Sequence, residues 1–239
     1  MQTRNTVLVM DSGPRFSSGF DTGEAVVLPA VASTAVREPD VVVTTHPDID
    51  HAGGTEALVR AFPNVLLIGS DHASDVLSCQ GFPAWRRDSV AFQLLPGDEF
   101  PDFSTANDRS CALLVDNGRH AVLLTGDTSD HAEMLLIRAA RPEVLDRLKV
   151  VVVPRHGSRS SSSRAFVRRT RPRYAVVSAG RHNGYGHPHA QVVERWQQAG
   201  ARVFSTAESG AIRWYSGSPS VLRTFRREAL RYWRTTEST

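Results

Sequence analysis

The sequence predicts a layered α/β sandwich of mixed sheets with helices on the outside, on three observations. Short β-rich runs outnumber helix-length amphipathic segments by about two to one. The runs end in polar loops. Two of them, 111–116 and 121–125, fold around Asn117-Gly118, a hairpin turn that a purely parallel winding does not contain.

Taken in chain order, 7–10 is an apolar strand cut off by Asp11 and Gly13, and 24–36 is an amphipathic helix. The stretch 41–45 is β-branched throughout, the signature of a buried strand. A helix is expected at 54–62 and strands at 65–68 and 90–95, the last with Val90, Phe92 and Leu94 alternating. The hairpin 111–116 and 121–125 follows, then helix 130–139 and the strand 149–153. Helix 165–170, strand 174–178, helix 190–199 and strands 202–205 and 211–215 complete the series. No internal repeat and no long linker interrupts it, so one domain is expected over 1–239, with an arginine-rich tail from 217 onward. The loop 160–163, four serines, reads as polar and mobile.

At 239 residues and 26.2 kDa, with 41% hydrophobic and 22% charged residues, the chain can fill a core. Apolar runs such as 150–153 fall far short of the ~20 residues that span a bilayer, and the polar start does not read as a signal peptide. The chain itself therefore reads as soluble. Two cysteines, Cys79 and Cys111, exclude a disulfide scaffold and are expected as free thiols with no disulfide partner. The net charge is only +3, but Lys149 is the single lysine and the arginines cluster at 155–173 and 223–234. Such clusters either solvate exposed faces or attract a polyanion.

The chemistry concentrates after the strand 41–45, in His46-Pro47-Asp48-Ile49-Asp50-His51-Ala52-Gly53-Gly54. Residues two apart in extended backbone point the same way, so His46 and Asp48 can share one ion, and Asp50 and His51 can reach a second. Gly53 and Gly54 admit close backbone approach. Gly126-Asp127 places a carboxylate at another strand end, where Asp127 can bridge two cations and offset their repulsion. The strand 149–153 delivers a third imidazole, His156, into Arg155-His156-Gly157-Ser158. Imidazoles suit zinc, and the carboxylates make manganese or magnesium competitive.

Asp11-Ser12-Gly13, the His-x-x-x-Asp-His cluster, Gly126-Asp127 and the late His156, in this order, resemble the metallo-β-lactamase fold family of hydrolases. Asp48 at the place of the usual second His, Asn107-Asp108-Arg109-Ser110, Leu124-Thr125-Gly126-Asp127, His156-Gly157-Ser158 and Tyr185-Gly186-His187-Pro188 narrow the resemblance to the C-terminal domain of the ComEC family of DNA-internalisation competence proteins. The resemblance covers about 7–212 and implies an αββα sandwich of two mixed sheets, here without the first strand or two. It implies two divalent cations, zinc or manganese, on His46, Asp48, Asp50, His51, Asp127 and His156. Asp50 and His187 are the expected catalytic residues, and Asp11, Asn107 and Ser110 the expected supporting ones. Arg155, standing where the family often has a second His, and Ser158 are candidate phosphate contacts.

The activity implied is hydrolysis of DNA phosphodiesters that degrades a DNA strand during uptake in natural transformation, with DNA, single-stranded or the non-transported strand, as partner. The resemblance also implies a longer protein whose membrane channel would hold the domain at the inner membrane, on the extracytoplasmic side. Hydrolysis of another ester (lactone, thioester or small phosphoester) and a catalytically dead DNA-binding module are the alternatives. His72, His120 and His131 read as surface residues, and His182 and His189 flank the His187 loop.

Overall fold

Val41, Val42 and Val43 show how the layers arise. Alternate side chains of a strand leave opposite faces. Val42 packs with Val7, Val9, Val31 and Leu58 under a helical layer, while Val41 and Val43 join Leu8, Ile68, Phe92, Leu94, Leu113 and Val115. The same alternation sends Ala112 and Leu114 the other way, to Leu136, Phe166, Val167, Val192 and Trp196. Both sheets are thus apolar on both faces and lie between helices, giving the expected αββα order.

The computed structural model describes residues 1–70, 75–95 and 105–228. Its strands are β1 (Leu8–Met10), β2 (Val41–Thr44), β3 (Leu66–Gly69), β4 (Leu77–Ser78), β5 (Trp85–Arg87), β6 (Val90–Leu95), β7 (Ala112–Asp116), β8 (Ala121–Leu124), β9 (Leu148–Val152), β10 (Tyr174–Val177), β11 (Arg202–Ser205), β12 (Ile212–Tyr215) and β13 (Val221–Thr224). Strands β1 to β4 form one sheet in sequence order, parallel throughout rather than mixed. The second sheet runs from β11 down to β5, parallel from β11 to β8 and antiparallel from β8 to β5. Strands β12 and β13 form a separate antiparallel hairpin.

Every expected strand appears to within one residue at either end, and β4, β5 and β13 are additions. The expected helix 24–36 is instead a wide π-helical turn, Gly23–Val27, followed by Leu28–Ala32. The wide turn precedes Pro29, which has no N–H to close a regular one. β1 is the edge of its sheet, and the chain start folds back on it: Leu8 donates to the Met1 carbonyl at 2.9 Å and accepts from the Met1 amine at 2.6 Å.

Two expectations are corrected. Cys79 and Cys111 are not free thiols but a disulfide, with Cα atoms 6.0 Å apart, that joins the end of β4 to the start of β7 and so ties sheet to sheet. The serine loop 160–163 is not a loose solvated segment. Ser161 and Ser162 are buried, Glu133 accepts from the Ser162 and Ser163 N–H groups, and Arg195 and Trp196 bind Ser162 from the far side. His72, the end of the arginine-rich tail (229–239) and the arginines it carries lie outside the described residues.

Candidate metal centre

β1, β2, β8 and β9 end on one side of the sandwich, and the chain leaving each carries polar groups into the gap between the sheets. Asp11 follows β1, Thr45 and His46 follow β2, Asp127 follows β8 and His156 follows β9. A single helical turn, Ile49–Ala52, adds Asp50 and His51, and Asp48 precedes it in extended backbone. This turn lies against the loop after β1 because Gly53 and Gly54 have no side chain. A Cβ on Gly54 would sit 2.4 Å from the Gly23 nitrogen.

Three imidazoles converge, each held by its far nitrogen. His51 Nδ1 lies 2.7 Å from Asp11 Oδ2, His156 Nδ1 donates to the Ser178 carbonyl at 2.8 Å, and His46 Nδ1 lies 3.0 Å from the Thr45 hydroxyl. The Thr45 hydroxyl donates to Asp11 Oδ2 at 3.0 Å, and so accepts from His46. Asp11 therefore orients two imidazoles, one directly and one through a hydroxyl, the Ser178 carbonyl orients the third, and all three Nε2 atoms face one place. His51 Nε2 lies 3.3 Å from both His156 Nε2 and Asp127 Oδ1, and His156 Nε2 lies 3.4 Å from Asp50 Oδ2 and 3.5 Å from Asp127 Oδ1. His46 Nε2 lies 3.4 Å from Asp48 Oδ2.

The electrostatics follow from this crowding. Burial opposes charge on His51, yet hydrogen bonds to Asp11 and Asp127 outweigh it and raise its pKa to about 10. The hydrogen bond to His156 draws Asp50 down to about 2. Burial, and then the neighbouring His51, lowers His46. For Asp127, burial is outweighed by the imidazoles around it, and its carboxyl falls below the usual range.

These residues fit divalent cations. Among the described residues, His46, His51 and Asp127 form one group whose ligand atoms all lie within 4.8 Å of one another, and Asp50, His51 and His156 form a second. His46 Nε2 is buried without a hydrogen-bond partner, a lone pair that water does not reach. Asp11, Asp48, Asp50 and Asp127 bring four negative charges among the rings, the complement of two divalent ions. Asp48 touches His46 but belongs to neither group, and its side chain is half exposed.

The supporting candidates fall around this centre. Ser110 accepts from the Asp127 N–H at 3.2 Å and lies 3.5 Å from His46 Nδ1, while Asn107 donates to Asp127 Oδ2 at 3.5 Å. Arg155 and His156 both have left-handed backbone, φ 48° and 52°, which turns the chain sharply at the end of β9. Burial opposes charge on Asp108, but hydrogen bonds from Ser129 and Thr105, with a smaller pull from Arg155, draw its carboxyl down. Ser158 is half-buried and its hydroxyl pairs with that of Ser160 at 3.1 Å. His187 stands beside the centre. Burial lowers its pKa first, and then His189 and His156. His120 binds the Ser216 carbonyl, His131 is exposed, and neither joins the centre. Sequence reasoning missed Thr45 and the Ser178 carbonyl. The one available signal was that Thr45 directly precedes His46.

A cleft of about 250 Å³ opens beside these groups, lined by Asp50, His51, Asp127 and His156. Among the described residues no helix is long and apolar enough to cross a membrane.

Residues 2–181 match the Metallo-beta-lactamase superfamily. The chain is 31% identical over 213 residues to Recombination protein 2 of Haemophilus influenzae, a match covering 86% of this chain and 26% of that protein. It is 30% identical over 233 residues to Competence protein ComA of Neisseria gonorrhoeae, covering 98% of this chain and 33% of that one. The chain thus spans between 26% and 33% of the length of these curated relatives. Its fold resembles the metallo-beta-lactamase fold protein YhfI from Bacillus subtilis, 11% identical, with a TM-score of 0.52 over 85% of this chain and 86% of that chain. With strand-end ligands, sandwich layering and sequence match in agreement, the chain belongs to the metallo-beta-lactamase superfamily, whose metallo-hydrolase fold binds divalent metal.

Proposed function

We propose that the chain is a metal-dependent hydrolase that cleaves DNA phosphodiester bonds during DNA uptake. The observation that carries this reading is the convergence of three imidazole Nε2 atoms with the carboxylates of Asp50 and Asp127 at the open end of the sandwich. The relatives' names, a recombination protein and a competence protein, support DNA as the substrate. Arginines such as Arg155 and Arg159 on the His156 loop suit a phosphate backbone.

His46, Asp48, Asp50, His51, Asp127 and His156 would hold two divalent ions, which supply positive charge against the phosphate and lower the pKa of an attacking water toward neutrality. Asp127, fixed by Ser110 and Asn107 and facing both His51 and His156, would offer its carboxylate to these ions. Asp50 is the least buried of the carboxylates facing His156, and it accepts the proton released as the water oxygen attacks phosphorus. As the P–O bond to the leaving sugar breaks, the sugar oxygen takes its proton from water, and His187, held uncharged by burial and its imidazole neighbours, donates a hydrogen bond to that oxygen. Arg155 meets the phosphate on the side of Asp108.

In the same proposal the chain works beside the membrane-channel portion of a longer protein, on the extracytoplasmic side. The disulfide supports an oxidising location. Labelled single- and double-stranded DNA, incubated with the purified chain and Mn²⁺ or Zn²⁺, tests the reading. Cleavage is expected, and its loss in Asp50→Ala and with chelator. A folded, metal-loaded chain that leaves DNA intact would move the assignment to another ester.

A further inference from the structure

Glu133 is fully buried and, among the described residues, pairs with no cation, an arrangement that costs free energy where an amide or an apolar side chain would do as well. Here neither would. Its carboxylate accepts on both oxygens from consecutive amides, Ser162 N–H at Oε1 and Ser163 N–H at Oε2, the latter at 2.8 Å. Ser162 has left-handed backbone, φ 59°, which brings the two N–H groups to one side. A glutamine offers one acceptor to these two donors and turns its own NH2 on the other.

This clamp joins two elements that lead to the metal centre. Its fixed side is helix Asp130–Ala139, which begins three residues after Asp127 and is seated in the core by Leu136. Its other side is the loop that leaves His156. From Ser162 the hold passes back along that loop. Asp130 N–H donates to the Ser160 carbonyl at 3.1 Å, and the Ser161 hydroxyl donates to the Pro154 carbonyl at 2.8 Å and to the Ser158 carbonyl at 3.0 Å. These bonds close on the turn Pro154–Gly157, where Arg155 and His156 are both left-handed, a backbone that residues with side chains keep only when their surroundings impose it. The Ser178 carbonyl fixes how the His156 ring is turned, and the loop fixes where the ring stands. His156 enters one of the two ligand groups, that with Asp50 and His51.

We propose that Glu133 is a positioning residue for the metal centre: by clamping the Ser162 and Ser163 N–H groups to the helix that follows Asp127, it sets the place of His156 and so the affinity for the ion taken by Asp50, His51 and His156. This rests on the metal reading of the centre and adds to it a residue outside the cleft. The test counts Mn²⁺ bound per chain against free Mn²⁺, by competition with a chelating dye, in wild type, Glu133→Gln, Glu133→Asp and Leu136→Ala, with urea denaturation of each. It is run at about pH 8, above the pKa of about 7 that burial gives the Glu133 carboxyl. Wild type is expected to take two ions. Glu133→Gln is expected to keep one at wild-type affinity and to bind the other about 10- to 100-fold more weakly. Glu133→Asp, whose shorter side chain does not reach both amides, is expected to move the same way, and it carries the test if Glu133→Gln does not fold. Leu136→Ala, which lowers stability through a cavity in the same helix, is expected to bind both ions as wild type does. Two ions held at wild-type affinity by folded Glu133→Gln or Glu133→Asp would overturn the proposal and leave the metal reading intact. Weakening of both ions alike would put the effect on the helix after Asp127 and overturn it. Equal weakening of the second ion in Leu136→Ala would also overturn it, since affinity would then follow stability rather than the clamp. A folded wild type that binds no ion would overturn both readings.

Discussion

Asp11 binds no proposed ion directly, yet it receives the Thr45 N–H at 2.7 Å, the Thr45 hydroxyl and His51 Nδ1 on one carboxylate. An amide at this position turns a donor toward a partner that also donates. Asp11→Asn is therefore expected to weaken divalent metal binding by about 10- to 100-fold, the usual effect of losing a group that orients a ligand. Competition with a fluorescent chelator measures it, and unchanged affinity would show that His46 and His51 orient themselves. At this scale the candidate cluster was legible because His46, Asp50 and His51 lie within six positions of the chain, while Asp48, read with them, falls in neither group. Thr45 was not, because its hydroxyl gains meaning only from Asp11, 34 residues earlier. The Ser178 carbonyl is a backbone group that no residue pattern announces.

Helix Asp130–Ala139 places Glu133 in its first turn, where a carboxylate ordinarily faces solvent, but here the side chain is fully buried against the loop before helix Arg164–Thr170. Burial pushes its carboxyl up to about 7, against the downward pull of the Ser163 and Ser162 N–H groups. The unfolded chain releases this proton near 4.5, so the folded state holds it more tightly. Stability therefore falls as pH rises from about 4.5 to about 7, by up to about 3 kcal/mol, and levels off above. Glu133→Gln is expected to flatten this dependence in urea denaturation at the two ends of the window, and a wild-type stability that does not change across it would contradict the assignment. The run 160–163 was misread because four serines look solvated, and the residues that bury them, Glu133, Arg195 and Trp196, come from two distant helices. At the next turn, Gly157 has φ +82°, and an added Cβ would sit 2.6 Å from Pro188 Cβ. Gly157→Ala is expected to cost at least about 1–3 kcal/mol, read as a lowered Tm. No change in Tm would mean that Pro188 yields.

Across the whole molecule, the sandwich was legible because apolar alternation in runs such as 90–95 and the Asn117-Gly118 turn specify strands without reference to partners. β4 has only two residues, β5 and β13 bury none of theirs and so carry no apolar pattern, and the sheet-to-sheet bond Cys79–Cys111 depends on a distance that only the packed sheets define. That bond closes 32 residues of chain, so Cys79→Ser is expected to lower stability by about 3–4 kcal/mol, measured by urea denaturation against wild type with and without dithiothreitol. Wild type that is equally stable when reduced would show the two sheets to be held by packing alone. The centre between those sheets is the claim on which the functional account depends. Metal content per chain, after loading with Mn²⁺ or Zn²⁺ and removal of the excess, tests it most directly. Two ions per wild-type chain are expected, with fewer in Asp127→Asn, whose carboxylate faces both His51 and His156. A folded wild-type chain that retains no metal would contradict the account.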